Sequence, residues 1–521
     1  MSATLLVRKD SYHDSVLLMR LSQSLKRVEG VEDAIVAMGT PVNRELLSAQ
    51  GWAGAELSAA GPNDLVIAIK GGPGAPAAVE AELERLLRAG RPRGGEEEQR
   101  PASLAAALAA RPESNLALIS VPGAYAAREA RRALARGLHV MLFSDNVPLA
   151  DEIALKRDAI ARGLLMMGPD CGTAILDGRP LGFANAVRRG PIGIVGAAGT
   201  GIQEVSSLIH RHGCGVSQAI GTGGRDLSAD VGGLMTRFGI EALAADPGTQ
   251  VIVVISKPPA ESVAREVIAA LAATPKPCVL HFVGSETRAA DPRRGIVFSD
   301  SLADAAESAC RQSGMAGAPR AWAGPDPTRV AQLAARLPRA TALRGLFCGG
   351  TTGQEALAIL GRSRLEVRSN LHKSGPLRID GLAPVPGHAL LDLGDDLFTR
   401  GRPHPMIEPV LRNERLAVEM EGDDARLLLF DCVLGYGAHP DPAGVLGEGV
   451  ARARSLAGSR PVVAIASVTG TPDDPQDSHA QTRRLEEAGL FVEPDNRAAA
   501  SLAAAVLERA LRAPAVPGGA R

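Results

Sequence analysis

Several times along this chain an apolar run closes on a glycine or proline turn and opens at once into a helical pattern. PIGIVGAAGTGIQEVSSLIHRHG (191–213), VIVVISKPPAESVAREVIAALAA (251–273) and RGLFCGGTTGQEALAIL (344–360) all do so. A strand that turns directly into a helix needs small residues in the turn, so this grammar demands alternating strand and helix. That is an α/β fold built on parallel strands. Glycine supplies 58 of the 521 residues, yet 45% of the chain is hydrophobic, so the glycines punctuate cores and do not mark disorder.

Charge and composition exclude several classes. The 57 Lys and Arg balance 58 Asp and Glu, without the basic excess of a nucleic-acid binder. No apolar run reaches about 18 residues, so no membrane span is expected. Arg8, Lys9 and Asp10 fall where a secretory signal would need apolar residues, which points to a cytoplasmic chain. Six cysteines without a CxxC pair exclude a disulfide scaffold and a cysteine zinc site. No HExxH or similar spacing suggests another metal.

The order of elements predicts four parts. Residues 1–111 form a small α/β region with strands at 3–9, 34–39 and 64–70, then a Pro/Gly- and charge-rich excursion near 90–101. Residues 112–188 read as a βαβαβ unit of Rossmann type, closing at GPDCGTAIL, without the GxGxxG of a dinucleotide site. Residues 189–318 and 328–513 repeat one grammar. IVGAAGTGIQE is similar enough to LFCGGTTGQEA to suggest two domains of one fold.

Three glycine-rich loops, GAAGTG (196–201), CGGTTGQE (348–355) and LGYGAHPDP (434–442), are placed at carboxyl ends of strands, where α/β sheets hold ligands. Backbone N–H groups at a helix start suit phosphate or carboxylate. Gly199, Thr200, Gly201, Gly435, Tyr436 and Gly437 are therefore candidate anion contacts. Gly224 and Arg225 of GTGGRD join them, although Arg225 beside Asp226 equally makes an ion pair on a turn. Lys257 directly follows an apolar strand, either solvated at the rim or aimed at an anionic substrate. Arg400, Arg402 and His404, beside Asp395 and Asp396, form the densest polar loop in the chain. Cys171 adjoins Asp170, an unfavourable setting for a thiolate, and is not expected to be a nucleophile.

These residues resemble a known family. The stretch 117–176, with ISVPGAYAAREA, GLHVMLFSDNVPLADE and MGPDCG, resembles the CoA-binding half of the succinyl-CoA synthetase alpha subunit. GPIGIVGAAGTG, IGTGGRD and the Lys257 strand continue the likeness through the first CoA-ligase domain. LDLGDD and LLLFDCVLGYG are similar to the carboxy-terminal half of the family's beta subunit. With MGTPVN (38–43) and GRPHPMIEP (401–409), the whole resembles the FdrA proteins over most of 1–513. The resemblance implies a Rossmann-like CoA-binding-type domain followed by two flavodoxin-like CoA-ligase-type domains. It also exposes departures. GSETRAADPRRG (284–295) has no histidine where the synthetases carry their phosphate relay, and Lys257 replaces the glutamate supporting it. No ATP-grasp domain precedes the beta-like half.

Keeping the attack of phosphate on an acyl carbon while losing the relay leaves an acyl phosphate as product. Within FdrA the resemblance implies an oxamate carbamoyltransferase of allantoin breakdown, turning oxalurate and phosphate into oxamate and carbamoyl phosphate. On that reading Lys257 neutralises phosphate, Arg402 grips a carboxylate and His404 protonates the departing nitrogen. Phosphate is then a substrate, CoA remains possible, and an oligomer with other subunits is implied. Two alternatives stand beside it: a CoA ligase completed by a nucleotide-binding partner, and a non-catalytic scaffold. A shared anion site requires the GAAGTG and LGYGAH loops to face each other within roughly 20 Å, since each hydrogen bond spans only ~3 Å.

Overall fold

The computed structural model describes residues 2–11, 13, 15–26, 28–40, 43–44, 47–48, 51–89, 101–284, 295–314, 322–338, 341–399, 402–422 and 424–512. Two units emerge, Met1–Ala110 and Arg111–Arg521. In the first, β1 (Ser2–Arg8), β2 (Val31–Met38) and β3 (Leu65–Gly71) form an antiparallel sheet in the order β1-β3-β2. The central strand is apolar at successive positions because both its faces are covered. Ile67 and Ile69 meet Leu18, Leu21 and Leu25 of helix Ser15–Lys26 together with Val79 and Leu83 of helix Ala75–Ala89. Val66 and Ala68 meet Trp52 and Leu57 on the other side. Most of the charge-rich excursion predicted near 90–101 lies outside the described residues.

The second unit holds three sheets. β4 (Leu116–Ile119), β5 (His139–Leu142) and β6 (Met166–Met167) are parallel, as the βαβαβ reading expects. The next sheet runs β13-β12-β11-β9-β10-β7-β8. Its strands are β7 (Thr173–Leu176), β8 (Arg179–Gly182), β9 (Arg189–Ala197), β10 (Val216–Gly221), β11 (Val251–Ser256), β12 (Cys278–Phe282) and β13 (Ile296–Phe298). Here the sequence reading needs correcting. The run TAIL does not close the preceding unit. It crosses over and pairs antiparallel with β10, so this sheet begins well before residue 189. A short apolar run carries no mark of which sheet it joins. Gly221 carries part of the answer, because a Cβ there would lie 2.3 Å from the Thr173 carbonyl oxygen. Any larger residue would push β7 off β10.

The third sheet is wholly parallel, in the order β15-β16-β14-β17-β18-β19. It comprises β14 (Ala342–Phe347), β15 (Val367–Arg368), β16 (His388–Asp392), β17 (Ala425–Val433), β18 (Val463–Thr469) and β19 (Phe491–Glu493). Every residue of β14, β17 and β18 is buried, since helices cover both faces. Leu446, Val450 and Leu485 pack on one side, and Leu357, Leu360, Leu502 and Val506 on the other. The seven-stranded sheet is sandwiched likewise by Ile202, Val205 and Ala306 on one face and Ile240, Val263 and Val267 on the other. The chain is thus a multidomain α/β protein with a small α/β region at its amino end, as expected from its sequence. Among the described residues no helix is long and apolar enough to cross a membrane.

Candidate functional site

In both large sheets the strand order reverses beside one parallel strand. β10 and β11 flank β9, and β16 and β17 flank β14. Such a reversal leaves a crevice beyond the carboxyl ends of the strands. Each crevice is headed by a glycine-started helix, Gly199–Arg211 after β9 and Gly350–Arg362 after β14. The two helix starts meet. The Thr351 N–H donates to Thr200 Oγ1 at 3.2 Å, and a Cβ on Gly201 would lie 2.9 Å from Thr351 Cγ2. Two loops that read as relatives in sequence therefore share one place in the fold.

They are not equivalent there. Asp431, fully buried, accepts hydrogen bonds from the N–H groups of Cys348 and Gly349 at 2.7 and 2.8 Å and from Thr352 Oγ1 at 2.9 Å. The protein's own carboxylate thus occupies the leading donors of CGGTTG. The Gly199 helix follows Ala198 without a side-chain cap, so Gly199, Thr200 and Gly201 bring the less committed N–H groups.

Lys257 stands one residue beyond β11, and Asp392 ends β16. Their charged atoms converge on Gly350, where a Cβ would lie 2.9 Å from Lys257 Nζ and 2.5 Å from Asp392 Oδ2. Burial pushes the Asp392 carboxyl up to about 6 against the pull of Lys257, with Asp395 and Asp431 adding to the rise. Asp170, in the GPDCGT turn, is also pushed up to about 6. Burial leads, Lys257 and Arg225 oppose it, and Asp145 and Asp396 reinforce it. One ammonium therefore serves two carboxyls that both release their protons near pH 6.

The predicted residues divide between this place and others. His404 belongs to it: a Cβ on Gly394 would lie 2.6 Å from its Nε2 and 3.2 Å from Asp392 Oδ1. Burial pushes His404 down to about 4, and its Nδ1 accepts from the Met406 N–H at 3.2 Å. The proton then sits on Nε2. A neutral imidazole in that tautomer offers a hydrogen bond, not the proton expected for a leaving nitrogen. Arg402 does not join the site. It is exposed and ion-paired with Glu414 Oε2 at 2.5 Å. Since an exposed pair contributes about 0–1 kcal/mol, Arg402→Ala is expected to change turnover less than about fivefold, measured on folded variants. Arg400, and the stretch 285–294 without the relay histidine, lie outside the described residues.

Arg225 does not pair with Asp226. Its guanidinium lies 2.8 Å from Glu152 and donates to the Val147 carbonyl at 2.7 Å, while Asp226, fully buried, bonds Lys156 at 2.7 Å. Arg225 is thus engaged in joining two parts of the fold. Gly224 lies beside Asp170, whose Oδ2 would be 3.2 Å from a Cβ there. The LGYGAH loop does reach the Gly199 helix, because Gln203 Nε2 donates to the Leu434 carbonyl at 3.0 Å. Its first two donors, however, are taken. The Gly435 N–H bonds Gln476 Oε1 at 3.2 Å and the Tyr436 N–H bonds the Ala184 carbonyl at 3.0 Å, while Gly437 packs by the Phe183 ring. The expectation of open N–H groups at Gly435 and Tyr436 fails for that reason. Cys171 is buried and its thiol is pushed up to about 12, no setting for a nucleophile.

Sequence reasoning missed Asp392, Asp170 and a buried carboxyl pair behind the helix starts. Glu204 accepts from Thr469 Oγ1 at 2.5 Å and from the Asn496 N–H at 3.1 Å. Glu355 accepts from the Leu302 N–H at 2.6 Å and Asn496 Nδ2 at 2.7 Å. Burial pushes both up to about 7. The signal was present in the sequence: GTGIQE and GTTGQE end in the same dipeptide.

Comparison with known proteins agrees with this architecture. Family models match at three places: "AllF, heavy metal-associated domain" over 1–102, "CoA binding domain" over 187–284 and "CoA-ligase" over 346–506. The CoA-binding match falls on the segment expected to be the first CoA-ligase-like domain, not on 112–188. "Uncharacterized protein YahF" of Escherichia coli is 43% identical over 496 residues, 94% of this chain and 96% of that one. The ADP-forming succinate–CoA ligase subunit alpha-2 of Trichomonas vaginalis is 32% identical over 36% of this chain and 61% of its own length. The ADP-forming succinate–CoA ligase alpha subunit of Aquifex aeolicus is 31% identical over 28% and 48%. The residues at the amino end do not fit a heavy metal. Soft metals bind thiolates, the first cysteine in the chain is Cys171, and no three His, Cys, Asp or Glu converge among the described residues. The carboxylate of Asp64 instead gathers Lys9 Nζ and the N–H groups of Asp10 and Gly61 at 2.7–3.0 Å.

Proposed function

The chain belongs to the family of Escherichia coli YahF, and from its CoA-binding and CoA-ligase domains we propose an acyl-transfer enzyme of acid–CoA ligase type. It moves an acyl group to or from phosphate where the Gly199 and Gly350 helices meet. The observation that carries this reading is the position of Lys257 Nζ at that meeting point, close to Gly350 and Asp392. Lys257 neutralises phosphate, the open N–H groups of Gly199–Gly201 hold its oxygens, and the neutral His404 Nε2–H steadies developing negative charge.

The narrower form of the proposal is an FdrA-type subunit of an oxamate carbamoyltransferase. It would act with other subunits, forming carbamoyl phosphate from oxalurate and phosphate. A second reading, an acid–CoA ligase with a nucleotide-binding partner, is favoured by the CoA-binding match over 187–284 and the succinate–CoA ligase relatives. CoA is a substrate on that reading. Purified protein with candidate partners should be given oxalurate and phosphate, and separately acid, CoA and ATP. Carbamoyl phosphate in the first mixture alone supports the transferase. Acyl-CoA with ADP in the second alone supports the ligase, and neither product makes the chain a scaffold.

A further inference from the structure

We propose that Asp392 is the proton-transferring catalytic residue of this site, an inference that rests on the acyl–phosphate reading above. The residue is only 6% exposed, and its two carboxyl oxygens are treated differently by the fold. Oδ1 accepts the Gly394 N–H at 3.0 Å, and the backbone N–H of Asp392 is pinned to Asn370 Oδ1 at 2.9 Å. Oδ2 accepts no hydrogen bond from the described residues and lies on the side of Gly350 and Lys257 Nζ, 2.5 Å from where a Cβ on Gly350 would stand. One oxygen anchored and one left open, in a side chain whose backbone is fixed, is the arrangement a proton carrier needs.

The surrounding charges suit that task. Lys257 faces the open oxygen from the end of β11, and the neutral His404 lies on the anchored side. Asp395 adjoins on the same loop, and Asp431 on β17 is itself matched by Arg412. Lys257 supports the carboxylate after it has given up its proton, while burial and the two neighbouring aspartates favour its return. The poise near 6 agrees with this balance.

A phosphate oxygen bonds to the acyl carbon, and the bond from that carbon to the leaving nitrogen or sulfur breaks with its electron pair on the leaving atom. Asp392 Oδ2–H protonates that atom. The proton lost by monohydrogen phosphate as it becomes the acyl phosphate restores Asp392. In the reverse direction the carboxylate accepts the proton.

Asp392→Asn keeps the shape and removes proton transfer. Acyl phosphate formation should fall by roughly 10²–10⁴-fold, with phosphate affinity within about threefold of wild type. In the wild type, formation should decline as pH rises through about 6, and the variant should lose that limb. Unchanged turnover, or an unchanged limb, overturns the proposal. A second readout does not depend on activity. Titration calorimetry with inorganic phosphate near pH 6.5, in two buffers of different ionisation enthalpy, should show less proton uptake in Asp392→Asn than in the wild type, the remainder belonging to Asp170 and to phosphate itself. Equal uptake in both overturns Asp392. No phosphate binding by the wild type overturns the reading beneath it and this inference together. Binding and Asp392-dependent uptake without acyl phosphate under any partner condition would overturn the reaction alone.

Discussion

Lys257→Ala should cost about 2–4 kcal/mol of transition-state stabilisation, roughly 30- to 1,000-fold in turnover, the scale of one preorganised donor. The structure adds a reason beyond the lost contact. Lys257 opposes the rise of both Asp392 and Asp170. Without the ammonium, both carboxyls hold their protons to higher pH, so the pH limb of the residual activity should move upward. Lys257→Glu should be worse than alanine, because a carboxylate would meet Asp170, Asp392 and phosphate in one crevice. The measurement is acyl phosphate formation against pH for the three proteins, each confirmed folded. Equal rates for wild type and Lys257→Ala would remove the reaction from this crevice.

Lys257 was legible because its position, directly after a run of buried β-residues, is a carboxyl-end position in any parallel sheet. Its partner was not. Asp392 ends LLD, and before folding nothing separates it from Asp395 and Asp396, which come to lie exposed at the turn and the helix start that follow. Burial selects among the three. Composition misled in the same loop. Arg402 looked like an anion grip, but Glu414, twelve residues on, is brought beside it by the turn into helix Val410–Glu419. The glycine loops were found correctly, yet their donors were not equally free. Asp431 lies 83 residues beyond Cys348, and no local pattern announces that its carboxylate will cap that loop. Fold class followed from local grammar. Strand allegiance, as at β7, depended on a close approach between Thr173 and Gly221 that only tertiary structure reveals.

The second large effect concerns stability. Glu204 and Glu355 lie on the two paired helices and share Asn496, and burial pushes both from the usual value of 4.5 up to about 7. In the folded state each holds a proton that the unfolded chain releases near 4.5. The stability this contributes is complete below about 4.5 and is lost as pH rises through about 7. The loss is on the order of 3 kcal/mol for a carboxyl shifted that far. Glu204→Gln keeps an oxygen for the Asn496 N–H and presents an amide to the Thr469 hydroxyl, which can turn to accept it. That variant should unfold a few degrees higher than wild type at pH 8, with the advantage vanishing towards pH 5. Glu355→Gln should behave differently. Both its oxygens already accept N–H groups, from Leu302 and Asn496, so the amide would set two donors against each other. A destabilisation of about 1–3 kcal/mol at pH 5 is the expected cost of the unpaired donor. Thermal unfolding of both variants between pH 5 and 8 decides the matter. A lower midpoint for Glu204→Gln at pH 8 would mean that the ionised pair is stabilised by groups other than those that surround it here.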